Sequence, residues 1–435
     1  MLTMQHSHKM TRMKFDMSSI NESLLMLYLF ISVNDILLLP FGILWVKSAI
    51  LFYLFIGLFI KPNFKRNEYF TYLFIAGFLF IISFAVAAIY GNNFDYALSE
   101  NLGLLTTLIV PIIVLNWINI NPEKIVRIAK VFLWAILFAT LHKIFYVIYM
   151  QGYLSNGFFD FMYKDLLGRG EVGDLNRLNT GNQLLVSFAL FMAYRFFVIG
   201  YQKLFMSFVI ILCFINIYLT ASRLFTPVTF SLLGVFIFVG VKGKWAQKIV
   251  FAVLMFFLAY ILMGDLLSGR EASNTIDDGN LYRIYQAKYL FESFLSAPFF
   301  GNGPGFVIND TDYDLPWAFE NQVLVVFAKY GMVGFVSFAS LVALQFKMFK
   351  FSLSLFHYLM LIFFIVVASI FNPYLFNTYA AWAFTISLIL AYLFKEGNRI
   401  TVLSLSLSRR DTVVVETHHI IKNEHSLQPT STGLR

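Results

Sequence analysis

The chain has 435 residues, 59% hydrophobic and only 13% charged, far from the roughly 45–50% apolar and 25% charged of globular domains. A soluble core is excluded, because a spanning helix takes about 20 apolar residues and this content supplies about a dozen spans and little else. The single cysteine, Cys213, lies inside an apolar run, so neither a disulfide framework nor a cysteine-based metal site can form within one chain. The formal charge of +8 is distributed as a membrane-topology signal, with no nucleic-acid partner implied.

Residues 1–20 are polar and carry no apolar stretch ending in a small-residue cleavage site, so they read as a retained cytoplasmic N-terminus. Apolar runs then predict twelve helices near 21–39, 43–60, 69–90, 102–118, 131–150, 181–199, 204–221, 224–241, 246–263, 321–345, 352–370 and 378–394. The first two form a tight hairpin around Pro40, since one span of 40 residues would be too long. Asp35 and Lys47 then reach similar depth and should form an ion pair. His142, Lys143 and Lys329 have no such partner in sequence and are expected to face a polar interior cavity.

With the N-terminus in the cytoplasm, alternate segments on that side hold 22 of the 32 lysines and arginines, the other side seven, and the spans three (Lys47, Lys143, Lys329). This bias places both termini inside. Two outer loops are long, 151–183 and 264–320. The second is acidic, and Leu281, Ile284, Ala287, Phe291 and Phe294 recur in it at helical spacing. Residues 280–295 therefore read as an amphipathic helix on the membrane surface, stopped by Pro298. Residues 395–435 are polar and Ser/Thr-rich and read as a mostly disordered cytoplasmic tail. The predicted fold is thus an all-α polytopic membrane protein with a transmembrane domain over 21–394 and a large outer loop containing an amphipathic helix.

Glu320 and Asn321 stand where that loop enters the tenth span. A polar pair there serves as a helix cap. A carboxylate at the membrane surface beside an apolar wall is equally a candidate general base. Five arginines fall on the outer side, where the charge bias makes them scarce: Arg169, Arg177, Arg223, Arg270 and Arg283. One of them alone would be read as snorkelling. Five suit an anionic lipid headgroup such as a pyrophosphate, because the guanidinium fork matches phosphate oxygens. The stretch Pro298-Phe-Phe-Gly-Asn-Gly-Pro-Gly305 is either a helix stop with its turn or an amide cradle for phosphate through Gly301, Gly303 and Gly305. Asp310, Asp312 and Asp314 alternate, but Leu315 and Pro316 follow where a calcium loop wants glycine, so no metal site is read there.

The segment from Arg283 to Gly334 resembles the bacterial O-antigen polymerase and O-antigen ligase superfamily of multi-pass membrane glycosyltransferases. The resemblance rests on the turn ending at Gly305, on Thr220-Ala-Ser-Arg223, and on Glu320, Asn321, nine residues and Gly331-x-x-Gly334. The ligase pattern has His where this chain has Glu320, which points to a polymerase. The resemblance implies transfer of a growing glycan from one undecaprenyl pyrophosphate carrier to another lipid-linked repeat unit at the outer face of the bacterial inner membrane, with no cofactor. Its partners would be the lipid-linked donor and acceptor, the membrane lipid, and a chain-length regulator protein as a further candidate. By that analogy Arg223 and Arg283 stabilise the leaving pyrophosphate and Glu320 is the base. Arg169, Arg177, Arg270, Asn321 and the three glycines would then bind substrate. A ligase that moves finished glycan to the lipid A core is the alternative within the superfamily. A polysaccharide flippase is the alternative outside it, disfavoured by the 57-residue outer loop.

Overall fold

The computed structural model describes residues 17–35, 43–60, 66–118, 121–154, 157–163, 182–220, 225–240, 275–307, 321–349, 353–370 and 377–396, with short pieces between. The expected span at 246–263 falls almost wholly outside the described residues, as do residues 1–16 and the tail after 396. The helices are α1 (Met17–Val33), α2 (Leu44–Ile60), α3 (Arg66–Ile89), α4 (Phe94–Ile118), α5 (Pro122–Met150), α6 (Gly157–Tyr163), α7 (Gln183–Val198), α8 (Lys203–Thr220), α9 (Phe225–Gly240), α10 (Thr275–Ser296), α11 (Gln322–Met348), α12 (Leu355–Ile370) and α13 (Thr378–Glu396). In the loop after α6 a two-residue antiparallel ladder pairs β1 (Glu171–Val172) with β2 (Leu175–Asn176), which periodicity did not predict.

Among the described residues six helices are long and apolar enough to cross a membrane, α3, α4, α5, α8, α11 and α13, and five shorter apolar helices accompany them. The chain is therefore an all-helical, multi-pass membrane protein, apart from that ladder. The core gathers around α7 and α13, where Leu184–Ala193 and Ala380–Ala383, including Trp382, are almost fully buried.

Several helices start earlier than their apolar runs. α5 begins at Pro122 rather than 131, because Asn121 accepts a hydrogen bond from the Glu123 amide and Pro122 occupies the first helical turn. Its added turns are amphipathic, with Ile125, Ile128 and Ala129 buried while Glu123 and Arg127 stay in solvent. α4 begins at Phe94 rather than 102, where the Asn93 side chain accepts from the amides of Asp95 and Tyr96 at 2.9 and 3.2 Å. That extension brings Glu100 inside the helix.

Helix ends meet in two groups. Arg127 pairs with Glu22, Lys347 lies 3.8 Å from Glu68, and Arg195 donates to the carbonyl of Leu393 at 2.9 Å. At the opposite ends Asn182 donates to the Val33 carbonyl at 3.3 Å, and Asn92 reaches the carbonyls of Asn302 and Pro304. The Asp35–Lys47 pair joins this second group: Nζ lies 2.9 Å from Oδ2, as the hairpin reading required, and Tyr379 donates to the same carboxylate.

α10 is the expected amphipathic helix, five residues longer at its start. Of its expected stripe, Ile284 and Phe291 are exposed, at 66 and 50%, whereas Phe294 meets Phe327 of α11 with ring centroids 5.4 Å apart. The buried side is instead Gln286 and Leu290, which packs with Phe319, Val325 and Ala328 of α11 and its approach.

Candidate functional site

The apolar run over 321–345 predicts a single span, which the structure gives as α11. It is broken at Gly331, whose backbone (φ 62°, ψ −166°) lies in a region open essentially to glycine alone. An unbroken helix would carry the amides of Met332 and Val333 to the carbonyls of Ala328 and Lys329. Instead Met332 and Val333 donate to the carbonyls of Pro298 and Phe299, at 2.9 and 3.0 Å. The carbonyls of Ala328 and Lys329 accept from the amides of Asn302 and Gly303, at 2.8 and 2.9 Å. The Gly-rich turn is thus spliced into the helix, replacing two broken rungs with four satisfied groups. Irregular backbone within a membrane protein requires such satisfaction.

The glycines permit the splice. A Cβ on Gly301 would sit 2.6 Å from the Tyr330 nitrogen, and one on Gly303 2.7 Å from Ala87 Cα. Gly301, Gly303 and Gly305 all have positive φ. Their amides are already occupied, by the carbonyls of Ala297 and Lys329 and by a carboxylate oxygen of Glu100 at 2.6 Å. The phosphate-cradle expectation for Gly301, Gly303 and Gly305 is therefore corrected: this turn holds a helix break. Gly334, the second glycine of the Gly-x-x-Gly element, lies where any Cβ would collide with that of Tyr330.

Beneath the splice Lys329, fully buried, forms an ion pair with Glu100, itself only 8% exposed. Lys329 also lies 4.8 Å from the centroid of the Phe319 ring. Glu100 therefore joins three strands of chain at once: α4 carries it, Lys329 of α11 neutralises it, and the Gly305 amide donates to it. The expectation that Lys329 faces a polar cavity is corrected by this pair. The apolar run begins at 102 and so leaves Glu100 out of the expected span. The signal was the Asn92-Asn93 turn followed by Asp95, a helix-start signature.

At the mouth of α11 the N-cap is Asn321, whose side-chain oxygen accepts from the Leu324 amide at 3.1 Å. The capping role that could have explained either residue is thus filled by Asn321. Arg283 is exposed on α10. It lies one and two turns before Gln286 and Leu290 on one helical face, and Leu290 shares a cluster with Phe319. Leu290 thereby holds α10 against the first turns of α11, with Arg283 two turns earlier along α10. Glu320, Arg223, Arg169, Arg177 and Arg270 lie outside the described residues.

Lys143, also expected in a polar cavity, is buried between α5 and α8. It donates to Asn216 at 3.3 Å and to Thr220, the first residue of Thr220-Ala-Ser-Arg223, while Asn216 donates to Thr140 at 2.8 Å. His142 is half-buried against Phe138 and Tyr163, with ring centroids 4.5 and 6.3 Å away. Among the described residues no group of three or more His, Cys, Asp and Glu side chains is placed to hold a metal ion.

Residues 208–339 match the family model described as O-Antigen ligase. This region runs from α8 through the Thr220–Arg223 element, α10 and the splice into α11, and over it the chain is similar to that family. Members of that family are membrane glycosyltransferase-like enzymes of surface-glycan synthesis. No curated protein and no solved structure matches the chain.

Proposed function

We infer that the chain is a polymerase that joins undecaprenyl-pyrophosphate-linked repeat units into a surface polysaccharide at the periplasmic face of a bacterial inner membrane. Both termini are then cytoplasmic, about twelve helices span the bilayer, and loops 151–183 and 264–320 are periplasmic, as the cation asymmetry requires. The observation that carries the reading is Glu320 at the position where the ligase pattern has His, one residue before a cap that Asn321 already supplies.

In this mechanism a sugar hydroxyl of the acceptor attacks the anomeric carbon of the donor glycan. The bond from that carbon to the pyrophosphate oxygen breaks, and Glu320 takes the hydroxyl proton. Arg223 and Arg283 stabilise the charge that develops on the leaving pyrophosphate. Arg169 and Arg177 hold the second lipid-linked glycan, and Arg270 adds to substrate binding. The Asn321 cap and the splice hold the helix whose first residue lies two positions after Glu320 in sequence.

The description of the matched family favours a ligase instead, and a deletion strain separates the two. Single repeat units on the lipid A core identify a polymerase, undecorated core identifies a ligase, and lipid-linked units trapped inside identify a flippase. Arg223→Lys and Arg283→Lys test the phosphate role: each keeps the charge, loses the planar fork, and should shorten chains strongly at normal membrane abundance. Wild-type chain ladders from both would remove that role.

A further inference from the structure

We propose that a groove between α5 and the α7–α8 turn binds the headgroup of an anionic phospholipid, with its acyl chains laid along α8. The groove has a volume of about 630 Å³ and is lined by Lys130, Trp134, Gln202, Lys203, Leu204 and Phe205. It lies at the start of α8, and Thr220 lies 17 residues on, about 26 Å along the helix axis, so this site is separate from the proposed catalytic one.

Three features select the ligand. Among the described residues neither Lys130 nor Lys203 has a carboxylate within ion-pair distance, so the groove presents two uncompensated cations. Lys130 lies over the ring of the buried Tyr201, with Nζ 5.1 Å from its centroid, which holds that cation at the rim. Lys203 is the first residue of α8, where free backbone amides and the helix dipole add to the positive potential.

Trp134 is 58% exposed, one turn from Lys130, and its ring lies 5.1 Å from that of Phe205. An indole at that depth suits the boundary between headgroups and acyl chains. From Leu204 an exposed apolar stripe continues through Phe208, Ile211, Ile215 and Tyr218, at successive helical spacing. Cations, then an interfacial aromatic pair, then an apolar stripe form the order of an anionic lipid from headgroup to tail. Basic pockets between spanning helices bind such headgroups.

The test uses the full chain purified in detergent, titrated with phosphatidylglycerol or phosphatidylcholine and read by native mass spectrometry. The wild type should retain phosphatidylglycerol in preference to phosphatidylcholine at equal concentration. Lys130→Gln/Lys203→Gln should bind phosphatidylglycerol about 30-fold more weakly. Lys130→Arg/Lys203→Arg, which keeps both charges, and Lys347→Gln, which removes one elsewhere, should bind as the wild type does. Equal retention of the two lipids by the wild type would overturn the proposal. So would undiminished binding in the double Gln variant, an equal loss in the Arg variant, or an equal loss in Lys347→Gln.

Discussion

Two ion pairs are buried to different degrees and do different work. Asp35–Lys47 closes the hairpin between α1 and α2, with each side chain 14% exposed and with Tyr379 and Thr378 as further partners. Its members are 12 residues apart, and breaking it loosens the hairpin and its contact to α13. Glu100–Lys329 joins residues 229 apart and is almost fully buried. It also fixes the Gly305 amide, and through it the turn that completes α11. The first pair relieves the cost of two charges that the hairpin brings together. The second is part of the device that allows a helix to be broken inside the protein.

If the splice is the organising element, its backbone should be the most sensitive point. Gly331→Ala puts a Cβ 2.6 Å from the Gly301 nitrogen, in a backbone conformation closed to alanine. It should destabilise the protein by ~3 kcal/mol or more, measured as loss of folded protein in the membrane. Near-normal abundance of this variant would mean that α11 can close into a continuous helix. The next effect concerns the inner pair. Lys329→Met leaves Glu100 buried and unpaired and should cost about 3–5 kcal/mol. Adding Glu100→Gln should restore much of it, since an amide oxygen can still accept from Gly305. A thermal-unfolding cycle over the four forms reads the coupling, and additive losses would contradict it. Asp35→Asn should have the smallest effect, about 1 kcal/mol, because water and Tyr379 can still satisfy the partners. A loss as large as that of Lys329→Met would erase the distinction between the two pairs.

The difference also explains what was readable in advance. Asp35 and Lys47 flank one proline, so helix rise alone put them at one depth. Glu100 and Lys329 are 229 residues apart and meet beside the turn that ends at Gly305, and no local periodicity carries that. Among the described residues apolar runs located the helices but clipped α4 and α5 at their polar first turns, where caps and half-buried faces, rather than hydropathy, set the start. The Gly-x-x-Gly spacing was legible as a motif. Its physical meaning, a Gly-only backbone at 331 and a Cβ-free approach at 334, needed the partner turn. Arg283 was placed correctly on an amphipathic helix, but the face of that helix which meets the protein is the one with Gln286 and Leu290, less apolar than the stripe that the pattern selected.

The central claim is that Glu320 acts chemically while Asn321 holds the helix start. The direct measurement compares polysaccharide chain length in strains carrying Glu320→Gln or Asn321→Asp, each at matched membrane abundance. Aspartate is as good a cap as asparagine, so Asn321→Asp should make a normal ladder. Glutamine keeps the shape of glutamate but cannot take a proton, so Glu320→Gln should yield mainly single repeat units. A normal ladder from Glu320→Gln would contradict the account and pass the base to another carboxylate of the outer loop, with Asp277 and Asp278 first in line.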